Sequence, residues 1–259
     1  MYTSVASFFL LIFPFKLLAQ QGLADSITKK KDPEIKASSF ILPAAMITYG
    51  IIGLESHTLK GINEDTQGEM KEHIDRRFSV DDFSQYSPLL AVYALNLAGL
   101  KGRNNLGDRS IIAGTAYLIM GTTVNLIKQT GNVTRPDGSS THSFPSGHTA
   151  TAFVGAEILH QEYKDVSPLL GISGYLVAAG TGYFRMYNNR HWLTDVVAGA
   201  GIGILSAKVA YKLHPFLKRT IFKRERNFQG MIVPKIGGGN YGVGVFLMPM
   251  RKHSVVCNL

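Results

Sequence analysis

"SIIAGTAYLIMGTTVNLI", Ser110–Ile127, runs without a charged residue and stops at Lys128. Together with "VSPLLGISGYLVAAGTGYF", Val166–Phe184, it is one of two uncharged runs of about 18 residues or more, long enough to cross a bilayer as a helix. Four shorter apolar segments accompany them: Phe40–Leu54, Ser87–Leu100, Thr149–Ile158 and Val196–Ala207. The last contains "AGAGIGILSA", whose small residues let helices approach closely. Glu157, at the end of an otherwise apolar segment, must face the interior or reach an interface. The pattern predicts an all-α chain: a bundle of about six core helices, embedded in a membrane or associated with one. A soluble bundle with buried core helices is the competing reading of the shorter segments.

Composition narrows the partners. Of 259 residues, 45% are hydrophobic and 17% charged, while the mean hydropathy of +0.07 is low for a chain lying mostly inside lipid. The net charge is +9. A basic patch (Lys212, Lys218, Arg219, Lys223, Arg224 and Arg226) follows the last apolar run, where it suits anionic lipid headgroups on the cytoplasmic side. No aromatic platform or binding motif supports nucleic acid as a partner. Cys257 is the only cysteine, so no intramolecular disulfide can form. No set of His, Cys and carboxylates has metal-ligand spacing, so no metal and no cofactor is expected.

The ends of the chain read differently from its middle. Residues 1–19, with an apolar stretch from Phe8 to Phe15 and a possible cut after Ala19, form a signal peptide or an uncleaved N-terminal hydrophobic segment. "NEDTQGEMKEHIDRRF" predicts an exposed helix capped by Asn63, and "DDFSQYSP" a turn leading to Pro88 in the first turn of the next helix. Beyond Pro215, "MIVPKIGGGNYGVGVFLMPM" predicts a small β-hairpin around Gly237–Asn240. The expected organisation is residues 36–214 as the helical domain and 215–259 as a basic stretch with a hairpin tail.

Chemistry concentrates in three clusters within 68 residues: Lys128 with Arg135-Pro136, then Pro145-Ser146-Gly147-His148, then Arg185 with His191 and Asp195. Lys128, Arg135 and Arg185 supply cations for the charge that spreads over a phosphoryl group in transfer, two of them as planar forks. Ser146 and Gly147 precede an apolar run, where the N–H groups of a starting helix would meet an anion. His191 and Asp195, four apart, share a face if a helix begins near Arg190, so that the carboxylate orients the ring. Either imidazole suits attack on phosphorus or proton transfer, and the spacing leaves open which does which. His142 lies in the loop between the first two clusters, with Asp137, Ser139, Ser140 and Thr141, at the expected entrance. His57, His73, His160, His214 and His253 have no such partners and are read as structural.

In order and spacing the clusters closely resemble those of the type 2 phosphatidic acid phosphatase family, which shares its site with vanadium-dependent haloperoxidases. The resemblance runs from about Leu89 to Val209, with the specific motifs between Lys128 and Asp195. It implies a bacterial envelope enzyme that removes a terminal phosphate from a lipid phosphate or polyprenyl diphosphate without metal. It also implies His191 as the nucleophile that forms a phosphohistidine, His148 as the general acid and Asp195 as the orienting carboxylate. Lys128, Arg135, Ser146, Gly147 and Arg185 would bind the phosphate. One position departs: Phe184 stands where the family usually has a serine. The alternatives are a vanadate-dependent haloperoxidase-like oxidoreductase and a catalytically decayed envelope protein. If all six segments cross, both site loops fall on one side and the basic loops on the other. The positive-inside rule then places the site on the periplasmic face of the inner membrane.

Overall fold

The computed structural model describes residues 35–72, 79–221, 228–237 and 240–249. The expected leader, Lys29–Lys31, Lys223, Arg224, Arg226, His73, His253 and Cys257 lie outside them. A 3-10 turn, Ala37–Phe40, leads into α1 (Ile41–Glu55) and α2 (His57–Glu72). Then come α3 (Val80–Ser84), α4 (Ser87–Leu97), α5 (Leu106–Thr130), α6 (Gly147–Tyr163), α7 (Pro168–Tyr187) and α8 (Leu193–Ile221). The six apolar segments are α1 and α4–α8, so the bundle is helical as the pattern requires. Beyond it, Phe228–Gly237 pairs antiparallel with Asn240–Pro249, Gly237 opposite Asn240.

α8 is the central post, packed against α1, α5 and α6, and α6 in turn carries α4 and α7. Missing side chains allow this proximity. A Cβ on Gly199 would come within 2.5 Å of the Ser146 carbonyl oxygen, and one on Gly203 would collide with that of Ala150. The helix continues through Pro215 to Ile221, past the point where composition changes. By length and composition, three described helical stretches can cross a membrane: Ala37–Glu55, Leu106–Thr130 and Leu193–Thr220. α7, expected to span, is not among them. Its glycines, Ser173, Thr181, Tyr175 and Arg185 dilute the apolar run.

Two local expectations fail for tertiary reasons. Asn63 does not cap a helix from 63; α2 begins at His57 and places Asn63 mid-helix, 7% exposed. There its amide donates to Thr194 Oγ1 (3.0 Å) and accepts from Thr194 N–H (3.2 Å), pinning α2 onto the start of α8. The expected turn at "DDFSQYSP" contains the short helix α3, packed on α7.

At the far end from Thr194, a buried polar network ties α5, α6 and α8 together. Arg109, fully buried, reaches Glu162 Oε2 at 3.2 Å and the Asn104 carbonyl at 2.8 Å. Tyr211 and Asn104 donate to the same carboxylate at 2.8 and 2.6 Å. Removing one partner strands an uncompensated buried charge, at a cost of about 3–5 kcal/mol. Glu162→Leu should therefore lower unfolding stability in detergent by about that amount, whereas substitution of exposed Leu97 should leave it nearly unchanged.

Candidate functional site

Two helix N-termini and the loop 131–146 form the site. Lys128, in the last turn of α5, gives its Nζ to the carbonyls of His142 (2.7 Å) and Ser143 (3.4 Å). His142 returns the contact through Nδ1 to the Lys128 carbonyl (2.9 Å), and Ser143 N–H donates to Val133 (2.9 Å). The loop is thus closed on itself before it enters α6. Gln67 on α2 braces it through the Pro136 carbonyl, 3.2 Å away.

Ser146 occupies the position before α6, but its hydroxyl meets Thr149 Oγ1 (2.9 Å) instead of capping a backbone N–H. The first-turn N–H groups of α6 have no acceptor within the helix. Ser146 N–H itself donates to the Asp195 carbonyl (3.0 Å), which joins the two helix starts.

His191 does not share a helical face with Asp195, because α8 begins only at Leu193. The chain reverses at Asn189 (φ 56°) and hangs Arg190 and His191 N–H on the Arg185 carbonyl at 3.0 and 3.3 Å. Asp195, in the first turn of α8, accepts the Trp192 N–H at 3.0 Å, the reaching-back half of a capping box. The same Oδ2 accepts the Ser143 hydroxyl at 2.5 Å and stands 3.4 Å from His191 Nδ1. Ser143 Oγ is also 3.4 Å from that nitrogen. Nδ1 therefore faces this polar pair, and Nε2 is the ring nitrogen that the pair does not engage.

Burial, partly opposed by Asp195 and reinforced by nearby Arg185 and Lys128, lowers the His191 pKa from 6.5 to about 4. The ring is neutral at pH 7, with a lone pair available.

Arg185 is 7% exposed, and its Nη1 lies 2.5 Å from Asp81 Oδ2. His148 Nε2 lies 3.1 Å from Asp82 Oδ1. α3 thus grips one group from the second cluster and one from the third. The Nε atoms of Arg135 and Arg185 are buried without a protein hydrogen-bond partner, donors that an anion can take. Arg190 binds Asp137 (3.2 Å) at the rim. Phe184 packs edge-on against Tyr183 and Tyr187, so it supplies no polar group.

The structure brings His148, Arg185, Ser146, Gly147, His191 and Asp195 to the starts of α6 and α8 and the end of α7. Lys128 and Arg135 frame the loop beside them. Sequence reading missed Ser143, Asp81 and Asp82. Ser143 lies within "HSFPSGH" and was within reach of motif reading. The two aspartates meet partners 104 and 66 positions away, and no local pattern marks that. Among the described residues, no three His, Cys, Asp or Glu side chains are grouped to hold a metal ion.

Two imidazoles and two buried guanidinium nitrogens thus gather near the starts of α6 and α8. Residues 109–219 match the model of the PAP2 superfamily. The chain is 36% identical over 171 residues to a lipid A 1-phosphatase from Porphyromonas gingivalis, covering 62% of this chain and 38% of that protein. The chain thus spans well under half the length of that relative. A Bacillus subtilis transmembrane PAP2 type phosphatidylglycerolphosphate phosphatase aligns with TM-score 0.44 and 18% identity, over 69% of this chain and 98% of that one. LpxE from Aquifex aeolicus aligns with TM-score 0.38 and 22% identity, over 64% and 93% respectively.

The lowered His191 pKa has a sign that can be measured. Between pH 6.5 and about 4 the unfolded chain binds a proton at this residue that the folded chain refuses. The stability His191 contributes is therefore complete above pH 6.5 and is lost as pH falls toward 4, by about 1.4 kcal/mol per pH unit. Unfolding titrations in detergent should be less steep across that window for His191→Asn than for the unsubstituted protein.

Proposed function

We propose that the chain is a metal-independent phosphatase that removes a terminal phosphate from a lipid or polyprenyl (di)phosphate through a phosphohistidine at His191. The observation that carries this reading is the His191 ring, neutral and held at Nδ1 beside Ser143 and Asp195, next to two buried arginine donors. The lipid A 1-phosphatase relative supports a lipid substrate. Residues 36–214 are read as the catalytic domain, with the paired C-terminal strands as a short hairpin appended to it.

In the first step the Nε2 lone pair of His191 forms a bond to phosphorus as the P–O bond to the lipid breaks. His148 gives its proton to the departing oxygen. Asp195, with Ser143, stabilises the positive ring that results. Arg135, Arg185, Lys128 and the N–H groups at the start of α6 take the charge on the phosphoryl oxygens. In the second step His148 accepts a proton from water, whose oxygen bonds phosphorus as the P–N bond breaks, and inorganic phosphate leaves. The phosphate competes with Asp81 and Asp82 for Arg185 and His148. Phe184 removes one hydroxyl from the pocket without touching these groups.

The site end of all three candidate spans is the same: the C-terminal ends of α1 and α5 and the N-terminal end of α8. Lys101, Arg103, Lys212 and Arg219 gather at the other. The positive-inside rule then makes that end cytoplasmic and turns the site toward the periplasm.

Labelled substrate quenched during turnover should leave acid-labile, alkali-stable label on the protein, and His191→Ala should abolish it. Full labelling of that variant would sink the assignment. Turnover should survive excess chelator, and vanadate should inhibit as a transition-state mimic. Loss of activity in chelator that a divalent ion restores would overturn the metal-independent route.

A further inference from the structure

A general acid must hold a proton and aim it, and the surroundings of His148 work against the first task. Burial and the Arg185 guanidinium, in the last turn of α7, both disfavour a positive ring there. Asp82 and Asp81 on α3 favour it. The nearer of them, Asp82, places Oδ1 3.1 Å from His148 Nε2. In the proposed reaction the two aspartates are only competitors of the phosphate.

We propose that Asp82 is a positioning residue for the reaction: it holds the Nε2–H of His148 and so makes Nδ1 the nitrogen that passes a proton to the departing oxygen. The inference rests on the lipid-phosphatase reading and adds a partner for the acid in its first step.

Three observations carry it. First, Asp82 is held in place. Its carbonyl accepts from Gln85 Nε2 at 2.8 Å, and the Ser84 hydroxyl meets Thr181 Oγ1 of α7 at 2.8 Å. Asp81, 2% exposed, is fastened at both oxygens, by Arg185 Nη1 at 2.5 Å and Asn188 Nδ2 at 3.0 Å. α3 has only five residues, yet three side-chain contacts tie it to the end of α7. Second, the hydrogen on one ring nitrogen is set by what the other nitrogen meets. An ionised carboxylate accepts and cannot donate, so Nε2 carries hydrogen in this contact. A positive ring then has its second hydrogen on Nδ1. Third, the two histidine–carboxylate pairs lie in different surroundings. His191 and Asp195 are buried, and the ring is neutral. The side chains of His148 and Asp82 are 31% and 54% exposed, open to solvent that can return a proton after each turnover. Paired groups in contrasting environments divide acid from nucleophile.

In the step itself the P–O bond to the lipid breaks with its electron pair on oxygen. That oxygen takes the Nδ1 proton, and the ring is left neutral with Nε2–H still on Asp82. The contest for His148 thus ends in sharing, one nitrogen to each partner.

The experiment compares kcat/KM on phosphatidate in detergent micelles and on p-nitrophenyl phosphate, since this constant covers the chemistry only through loss of the leaving group. Asp82→Asn should lower it about tenfold on phosphatidate, a part of the ~10²–10⁴ that acid catalysis contributes. The loss on p-nitrophenyl phosphate should be much smaller, because nitrophenolate departs without a proton. The alkaline limb of the phosphatidate profile should move to lower pH, since the positive ring has lost a favourable charge. The substrate's own ionisation is common to both proteins. Asp82→Glu should restore most of the rate, and in a His148→Ala background Asp82→Asn should cost nothing further. Equal losses on both substrates with an unmoved limb, or additive losses in the double variant, would refute the role and leave the phosphatase reading standing. A rise on both would refute it too, since α3 would then act as a brake. An unsubstituted protein that hydrolyses neither compound would overturn the reading beneath it as well.

Discussion

The Asp195 carboxylate and its backbone are the constraint from which the site follows. One oxygen takes the Ser143 hydroxyl and the Trp192 N–H and faces His191 Nδ1, while the backbone carbonyl of the same residue holds Ser146 N–H. Two segments that carry motif residues, the loop before α6 and the loop before α8, are thereby fixed to one point at the start of α8. A buried carboxylate is tolerable only where such donors surround it. The need to satisfy Asp195 therefore draws the loop before α6 and the loop before α8 together. The same contacts hold the histidine in one orientation and cap the helix.

The helices beneath are arranged so that this point sits on rigid supports. α8 can pass close to α6 because Gly199 and Gly203 present no side chain to the carbonyls of Ser146 and Ala150. Asn63 locks α2 over the start of α8 through both halves of its amide. At the opposite end, Arg109 and Glu162 bind α5 to α6 with Tyr211 of α8 joining them. Polar ties thus clamp the bundle at both ends, with small and branched apolar residues packed between. Helices with exposed apolar faces, such as α1, depend on their surroundings for the remaining burial.

α3 adds a tension at the site. Asp81 and Asp82 hold Arg185 and His148, two groups that an anion would also seek. These contacts bring local charge closer to neutral and keep both side chains in place. Under the proposed reaction, a phosphate would have to compete with both carboxylates for these two side chains.

Much of this was legible in the order of residues. Long uncharged runs require helices, because a buried backbone must satisfy its own hydrogen bonds. The spacing of Lys128, Arg135, Ser146, Gly147, His148, Arg185, His191 and Asp195 marks the residues from which the phosphatase reading is argued, and they fall within the region that matches the PAP2 superfamily model. Local sequence could not place Asn63, which looks like a cap and is instead a clasp, since its partner Thr194 lies 131 residues away. It could not find Asp81, Asp82 or Ser143, whose roles come from neighbours brought by folding. It also misjudged how His191 meets Asp195, because the reversal at Asn189 delays the helix to Leu193. Periodicity and motif spacing travel along the chain and are fixed by sequence alone. Which carboxylate faces which cation, and which nitrogen of a ring stays free, depends on contacts between distant segments, and only the tertiary structure decides them.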